Sequence, residues 1–378
     1  MTYSSSTLFK RSPWKNLLHF LYFVIGLTVG LTAAVQLRGF SINLGVPLPS
    51  VWQSLPQPEQ LGQAVKLSSN VSSPQQGDVG IFMHRMEDEE LFKQASMAHT
   101  TNEISSKFLP KVAFMFLTKG PIPLAPLWQK FFQGHEGMYS IYVHSDPSYE
   151  DRVSNDSVFY GRRVFSKKVQ WGKPSMIQAE RRLLANALLD FSNQRLVLLS
   201  ESCIPLFNFS TIYAYLTNTN ESFVHTYDDP RKIGRGRYNH LMSPTLNITQ
   251  WRKGSQWFEV SRKTAITIVS DEKYFPLFTE HCYPPCYTDE HYIPTLVNVF
   301  FPEDNIHRSI TWVDWSKNGP HPGRFIRKDV TLEFLNKIRF SENCTYNGNT
   351  SSICVLFARK FVGDTLQPLL DLSSLLFS

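Results

Sequence analysis

The residues best suited to chemistry lie in an acid- and aromatic-rich turn, CYTDEHY, at 286–292. Asp289 and Glu290 come just before the apolar stretch YIPTLVNVFF, where a loop would lead into a helix. Backbone amides at a helix start can hold a carboxylate and lower its pKa. We expect Asp289 to be the N-cap of this helix. Glu290 is a candidate general base, and a helix-capping or solvated acid is the alternative.

Basic side chains occur in two segments that could meet an anionic ligand. Arg308, Lys317, Arg324 and Arg327 lie in NIHRSITWVDWSKNGPHPGRFIRK, and an arginine can fork two phosphate oxygens. The second segment, RKIGRGR at 231–237, has no evident acidic counterpart and is predicted to be a solvated loop or a charged-ligand contact. The overall charge of +6, from 38 Lys and Arg against 32 Asp and Glu, is far from a nucleic-acid-binding pattern.

Strand-like and helix-like patterns alternate from residue 111 onward. This alternation predicts an α/β fold with a mainly parallel sheet and flanking helices, with ligands at the carboxyl ends of the strands. Those ends carry polar residues, namely His144, Ser145, Asp146, Ser200, Glu201, Asp228 and Asp229. The predicted strands are at 111–120, 138–147, 158–165, 195–202 and 222–230, and the clearest predicted helices are at 124–134 and 174–192.

The N-terminal part reads as a membrane anchor followed by a stem. Leu17 to Leu37 are 21 consecutive uncharged residues, enough for a helix of roughly 30 Å, which matches a bilayer core. Basic residues before this run predict a cytosolic tail at 1–16 and a signal anchor at 17–37; a cleaved signal peptide is the alternative. Residues 38–110 are predicted to be a stem or linker with one short helix near 88–97, and a small separate domain is the alternative.

Seven N-x-[ST] sequons favour a secretory lumen for everything after the anchor. They begin at Asn70, Asn155, Asn208, Asn220, Asn247, Asn343 and Asn349. That compartment permits disulfides, and Cys344 with Cys354 is the most plausible pair among the five cysteines. Cys282 and Cys286 could pair with each other or elsewhere, and one cysteine must remain over.

Several segments in order make the chain resemble the core-2/I-branching β-1,6-N-acetylglucosaminyltransferase family, in its plant-type branch. They are KVAFMFLTKGPIPLAPLW, YSIYVHSDP, VQWGKPSMIQAERRLLANAL, LVLLSESCIPL, KGSQWFEVSR, CYTDEHYIPTL and TWVDWSKNGPHPGRF. The resemblance covers about 111–340, which would be the glycosyltransferase domain, with 341–378 as a C-terminal extension. It implies a GT-A-like nucleotide-sugar-binding fold, a type II Golgi membrane topology and an inverting, metal-independent sugar transfer.

The resemblance also implies roles for individual residues. Glu290 falls on the position of the family's catalytic Glu and would be the general base. Donor contacts would come from His144 and Asp146, with a turn-forming Asp as the alternative, and from Arg308, Lys317 and Arg324, with Arg308 favoured for the diphosphate. Acceptor contacts would come from Gly254, Trp257 and Arg237. The chain has no Asp-x-Asp, the pair that holds Mn²⁺ or Mg²⁺ in many such enzymes, so we expect no metal and no other cofactor.

The expected function is therefore transfer of a sugar, N-acetylglucosamine by the family name, from a UDP-sugar to a glycan or glycoprotein. UDP-glucuronic acid and UDP-xylose are alternative donors. A membrane-tethered carbohydrate-binding or scaffolding protein without catalysis is a second hypothesis. A glycoside hydrolase is a third, but no motif nominates the second carboxylate that such an enzyme needs.

Overall fold

The computed structural model describes residues 84–97, 109–150, 153–283, 285–317 and 319–377, all within one unit that spans 76–378. The predicted tail and anchor, 1–16 and 17–37, lie outside the described residues, as does most of the predicted stem. Among the residues described, no helix has the length and apolar character needed to cross a bilayer.

The described residues form a mixed α/β architecture of short elements. The helices are α1 (Asp88–Met97), α2 (Ala125–Phe132), α3 (Pro174–Leu188), α4 (Phe209–Thr217), α5 (Arg262–Val269), α6 (Phe275–His281), α7 (Thr288–Phe300), α8 (Leu332–Arg339), α9 (Leu366–Asp371) and α10 (Ser373–Leu376). The strands are β1 (Lys111–Leu117), β2 (Tyr139–His144), β3 (Asn193–Ser200), β4 (Ile204–Pro205), β5 (Glu259–Ser261), β6 (Thr311–Val313), β7 (Cys344–Tyr346), β8 (Asn349–Ser351) and β9 (Phe357–Arg359).

The central sheet has the strand order β2-β1-β3-β5. β1 pairs in parallel with β2 and with β3, whereas β5 is antiparallel to β3. Leu117 is in register with His144 on one side and with Ser200 on the other. The three parallel strands therefore end at the same edge, as expected for a ligand crevice. This arrangement confirms the α/β prediction and fits the GT-A-like fold that the resemblance implies.

Alternate residues of the central strands pack on opposite sides of the sheet. Phe114 and Phe116 of β1 face a cluster that includes α2, α4 and β9, while Ala113 and Met115 face a cluster that includes α3, α5 and α7. All four side chains are fully buried. The uninterrupted apolar runs in the sequence arise because both sides of a parallel sheet are covered.

The predicted strand at 158–165 does not form. Its backbone makes one isolated bridge, between Arg163 and Val143. Gly161 has a φ of 67°, and this left-handed conformation interrupts an extended segment.

The predicted strand at 222–230 is also wrong, although the backbone polar groups of Val224 are satisfied. The side chain of Asn305 accepts from the amide of Val224 at 2.9 Å and donates to the carbonyl of the same residue at 2.9 Å. Only isolated bridges connect the segment to other backbone, one of them between Phe223 and Glu259. A side chain thus replaces a neighbouring strand as the hydrogen-bonding partner.

Helix α1 confirms the helix predicted near 88–97 and packs against the domain. Leu91 and Ala95 are buried in the same cluster as α3. Asp88 accepts two hydrogen bonds from Arg182 of α3, at 2.6 and 2.7 Å. A bidentate pair of this kind fixes orientation as well as contact. The end of the predicted stem is therefore part of the folded unit.

The C-terminal residues 341–378 also contribute to the fold. β9 is the central strand of a three-stranded sheet, β4-β9-β6. Cys344 and Cys354 form the predicted disulfide, and Cys282 pairs with Cys286. Cys203 is the cysteine left over, and it is buried.

Candidate active site

A carboxylate held by two cations lies at the start of α7. Oε2 of Glu290 accepts a hydrogen bond from Nη1 of Arg237 at 2.7 Å, and Nζ of Lys253 donates to the same oxygen. The carbonyl oxygen of Glu290 accepts from the amide of Gly254 at 2.8 Å. Within the described residues, no group donates a hydrogen bond to Oε1. One carboxylate oxygen is therefore anchored, and the other can meet a ligand.

The two cations determine the protonation state of Glu290. Burial alone would raise its pKa, but the charge of Lys253 and the hydrogen bonds from Lys253 and Arg237 outweigh burial. They hold the pKa of the Glu290 carboxyl below its usual range. Glu290 is therefore ionised at neutral pH and can accept a proton. The side-chain partners that hold the carboxylate are these cations rather than the helix amides that the sequence suggested.

Contacts around Tyr287 set the start of α7. Tyr287 precedes the helix and has a φ of 52°, in the left-handed region. The guanidinium carbon of Arg237 lies 4.1 Å from the centre of the Tyr287 ring. The indole of Trp171 packs edge-on against the same ring, with centroids 5.2 Å apart. A Cβ on Gly172 would lie 3.0 Å from Cδ1 of Tyr287, so the glycine permits this packing. Arg237 thus holds both the helix start and the Glu290 carboxylate.

Asp289 is not the N-cap, so this prediction is wrong. Tyr287 occupies the cap position and contributes no side-chain cap hydrogen bond. Asp289 lies inside the first turn, 5% exposed, and its buried Oδ1 has no hydrogen-bond partner among the described residues. Burial, together with the charge of Glu290, raises the pKa of the Asp289 carboxyl to about 6.

Gly254 and Trp257, the predicted acceptor contacts, are both engaged within the chain. A Cβ on Gly254 would lie 1.8 Å from the carbonyl oxygen of His225, so only glycine fits there. Trp257 is 7% exposed, and the guanidinium carbon of Arg359 lies 3.9 Å from the centre of its ring. These contacts position the segment that carries Lys253. The guanidinium of Arg359 covers one face of the Trp257 indole.

The predicted basic run has acidic partners after all. Arg231 pairs with Asp229 at 2.8 Å, and Arg235 pairs with Asp228. Arg237 pairs with Glu290. Because carboxylates neutralise these arginines, the run is a structured loop that delivers Arg237 to the site.

The cation-held carboxylate lies in a region that matches a known protein family. The Core-2/I-Branching enzyme family model matches residues 112–339. The chain belongs to the core-2/I-branching enzyme family. The rice protein named Glycosyltransferase BC10 (Oryza sativa subsp. japonica) is 36% identical over 309 residues, which cover 70% of this chain and 76% of the rice protein. The resemblance read from the sequence motifs is confirmed.

In this member of the core-2/I-branching family, His144 and Asp146 are both held by local contacts. His144 is 1% exposed, and its Nε2 accepts from the amide of Lys167 at 3.3 Å. Burial, with the charge of Arg182 next, lowers the pKa of His144 to about 3, so the ring is neutral. Oδ1 of Asp146 accepts from the amide and hydroxyl of Ser148, at 2.9 and 2.6 Å. The turn expected as the alternative role of Asp146 is therefore present.

Arg308, favoured from the sequence for the diphosphate, supports the fold. Its guanidinium donates to the carbonyl of Cys354 and to the hydroxyl of Tyr215, and lies 5.0 Å from the centre of the Phe223 ring. Lys317 and Arg324 are exposed. Arg324 is different from Arg308 and Lys317, because its positive charge adds to the effect of burial that lowers the pKa of Lys360.

Arg359 and Lys360 are basic residues near the site that the sequence reasoning missed. They lie at the end of β9, and burial followed by the charge of Arg359 lowers the pKa of Lys360. The backbone amide of Phe325 donates to the carbonyl of Lys360 at 2.9 Å, which brings Arg324 alongside. The adjacent basic pair after the apolar run VLFA was the available signal, but it lies beyond residue 339, where the family match ends.

A cavity of about 490 Å³ opens beside the carboxyl ends of β1 and β2. Its lining includes Gly120 and Ile122 from the loop after β1, Val143 and Ser145 from the end of β2, and residues from 153–159. Oγ of Ser145 is buried without a hydrogen-bond partner among the described residues. Mostly apolar cavities of roughly 300–1,000 Å³ with a few polar groups are typical of small-ligand sites.

The described residues contain no group of three or more His, Cys, Asp or Glu side chains arranged to hold a metal ion.

Proposed function

We propose that this chain is a glycosyltransferase that inverts the anomeric centre and needs no metal, with Glu290 as its general base. It would transfer a sugar from a UDP-sugar to a hydroxyl of a glycan or glycoprotein. The observation that carries this proposal is the Glu290 carboxylate, ionised by Arg237 and Lys253 and held, among the described residues, through one oxygen.

The free oxygen of Glu290 would perform the proton transfer. As the acceptor oxygen forms its bond to the anomeric carbon, its proton passes to Oε1 of Glu290. The bond from the anomeric carbon to the diphosphate oxygen breaks, and UDP leaves with the bonding electrons. Arg237 and Lys253 keep the carboxylate in place, so it needs no reorganisation at the moment of reaction.

Three cations would stabilise the departing diphosphate in place of a metal. Burial is the largest cause of the lowered pKa of Lys360, and the charges of Arg359 and Arg324 add to it while the charge of Glu201 opposes them. Three cations that interact electrostatically suit a leaving group that gains negative charge. We infer that this cluster, rather than Arg308, contacts the diphosphate.

The 254–257 segment supports placing these cations near the base. The Gly254 amide binds the carbonyl of Glu290, and the Trp257 ring packs against Arg359. The Cα atoms of Gly254 and Trp257 are at most about 10 Å apart, because three residue steps span no more than this. A short stretch of chain therefore connects the residue that binds Glu290 with the residue that packs against Arg359.

The cavity beside β1 and β2 is our proposed site for the nucleoside. It lies at the shared edge of the parallel strands, where α/β folds bind nucleotides. Ser145 offers an unpaired buried hydroxyl to the base or ribose. Trp171, about half exposed and in contact with Tyr287, is better placed than Trp257 to stack on an acceptor sugar. We take UDP-N-acetylglucosamine as the first donor to test, with UDP-glucuronic acid and UDP-xylose beside it.

The first prediction is that Glu290→Gln abolishes most of the transfer. The substitution keeps the size of the side chain but removes the basic oxygen, so turnover should fall by about 10²–10⁴-fold. Donor affinity should change little, because the base acts on the acceptor. UDP release measures the first quantity and calorimetric UDP binding the second. Glu280→Gln, an exposed acid on α6, is the control. Near-normal turnover in Glu290→Gln contradicts the proposal.

A second prediction concerns the leaving group. Transfer should persist in excess EDTA, and Lys360→Ala should lower kcat by about 10²-fold, as expected for loss of one group that stabilises developing charge. Kinetics in EDTA check both, with Lys273→Ala as a control for an unrelated lysine. Activity that vanishes in EDTA and returns with Mn²⁺ argues for a metal. If Arg308→Ala loses activity and Lys360→Ala does not, Arg308 rather than this cluster contacts the diphosphate.

We also propose the type II Golgi topology, with 38–378 in the lumen. The sequons at Asn155, Asn220, Asn247, Asn343 and Asn349 are exposed, as glycosylation requires, and both disulfides suit an oxidising compartment. In sealed microsomes, protease should leave 38–378 intact, and glycosidase F should increase its mobility on a gel. Digestion of this part without detergent would refute the orientation.

A further inference from the structure

Two buried carboxyl groups lie on α3 and on α7, the helix that also carries the proposed base. Glu180, in the middle of α3, is 1% exposed, and Asp289, in the first turn of α7, is 5% exposed. Oε1 of Glu180 accepts from Nε2 of Gln256 at 2.9 Å. Oε2 of Glu180 and Oδ1 of Asp289 are both buried without a hydrogen-bond partner among the described residues. Buried polar atoms without partners are costly, so a pair beside a reactive group calls for an explanation.

Burial favours the neutral form of Glu180. It raises the pKa of Glu180 well above the usual range, the hydrogen bond from Gln256 opposes this, and the charge of Asp289 adds to it. Since Oε1 is already an acceptor, Oε2 is the natural position for the proton of this neutral form. A protonated carboxyl donates a hydrogen bond, whereas an ionised one only accepts. Such a donor would suit the unpartnered Oδ1 of Asp289, whose charge acts on Glu180.

Asp289 is surrounded by charges on its own helix and on two further segments. Glu290 follows it in α7, Lys253 approaches from the loop before Gly254, and Arg237 comes from the short helix at Arg235–Arg237. Burial and the charge of Glu290 raise the pKa of Asp289 to about 6, against the opposing effect of the two cations. Since the interaction between two charges is mutual, an ionised Asp289 also raises the affinity of Glu290 for a proton.

This mutual effect resolves a difficulty in the site. Two cations on Oε2 keep Glu290 ionised, but they also make it a weaker base. A second negative charge next to it, on a residue too buried to be screened by water, partly restores the basicity.

We propose that Asp289, with Glu180 as its neutral hydrogen-bonding partner, is a positioning residue whose negative charge offsets Arg237 and Lys253 and so sets the basicity of Glu290. This proposal rests on Glu290 being the general base, as proposed above. Protonation of Asp289 should lower turnover without stopping it, and protonation of Glu290 should stop it.

The test is the dependence of kcat on pH in the full-length chain, read as UDP release. The unmodified chain should show a partial fall, about three- to tenfold, around pH 6 and a complete loss only below the ordinary range of a Glu carboxyl. Asp289→Asn should remove the step near pH 6 and give, at neutral pH, the reduced turnover that the unmodified chain has below the step. Glu280→Gln should keep the step where it is.

Substitutions of Glu180 distinguish an effect on the pKa of Asp289 from a purely structural role of Glu180. Glu180→Gln keeps a neutral donor and should keep the step near pH 6. Glu180→Leu removes the donor, which should raise the pKa of Asp289 and move the step to higher pH. Thermal unfolding of each variant identifies any loss that comes from misfolding alone, and the position of the step remains readable from whatever fraction is folded.

Each result bears on one part of the proposal. A step that persists in Asp289→Asn, or a single complete loss in the unmodified chain, overturns the role of Asp289. A step that stays in place in Glu180→Leu overturns the role of Glu180. Activity in Glu290→Gln instead refutes the base itself, so failure of the proposed function and failure of this inference are distinguishable.

Discussion

The ion pairs that Arg237 and Lys253 make with Glu290 are the interaction on which the rest of the site depends. They join three segments that are distant in sequence, and they keep a largely buried carboxylate charged. Without them, burial would favour the protonated form, which cannot act as a base. Arg237 adds a contact with the Tyr287 ring, so the same cation orients the helix start and the carboxylate. These ion pairs also lower the basicity of Glu290, and we propose that the charge of Asp289 offsets this effect.

The groups proposed to bind the nucleotide lie along one edge of the central sheet because β1, β2 and β3 end in register there. The cavity lies beyond β1 and β2. The cations at 359–360 interact with Glu201, the first residue after β3. The 254–257 segment then leads from Arg359 to Glu290. Nucleoside, diphosphate and reacting sugar can thus follow one another in the order in which they occur in a nucleotide sugar.

Sequence patterns predicted what depends on local repetition or on a single motif. β1, β2, β3 and α3 were predictable because buried strands and amphipathic helices repeat apolar residues along the chain. Features that depend on distant partners were not predictable in this way. The backbone of Val224 is satisfied by Asn305. Arg308 donates hydrogen bonds to Tyr215 and to the carbonyl of Cys354, and Asp289 is buried and acts electrostatically on Glu180. The pairing of Lys253 with Glu290 likewise follows from the fold rather than from spacing.

In the proposed mechanism, a single carboxylate activates the acceptor for one direct displacement. The anomeric configuration of the product tests this most directly, because one displacement inverts the anomeric carbon and two displacements retain it. With an α-linked UDP-sugar and a simple glycan acceptor, proton NMR of the product should show the coupling constant of a β-linkage. An α-linkage in the first-formed product would require a covalent intermediate or a different mechanism, and it would contradict the role given to Glu290.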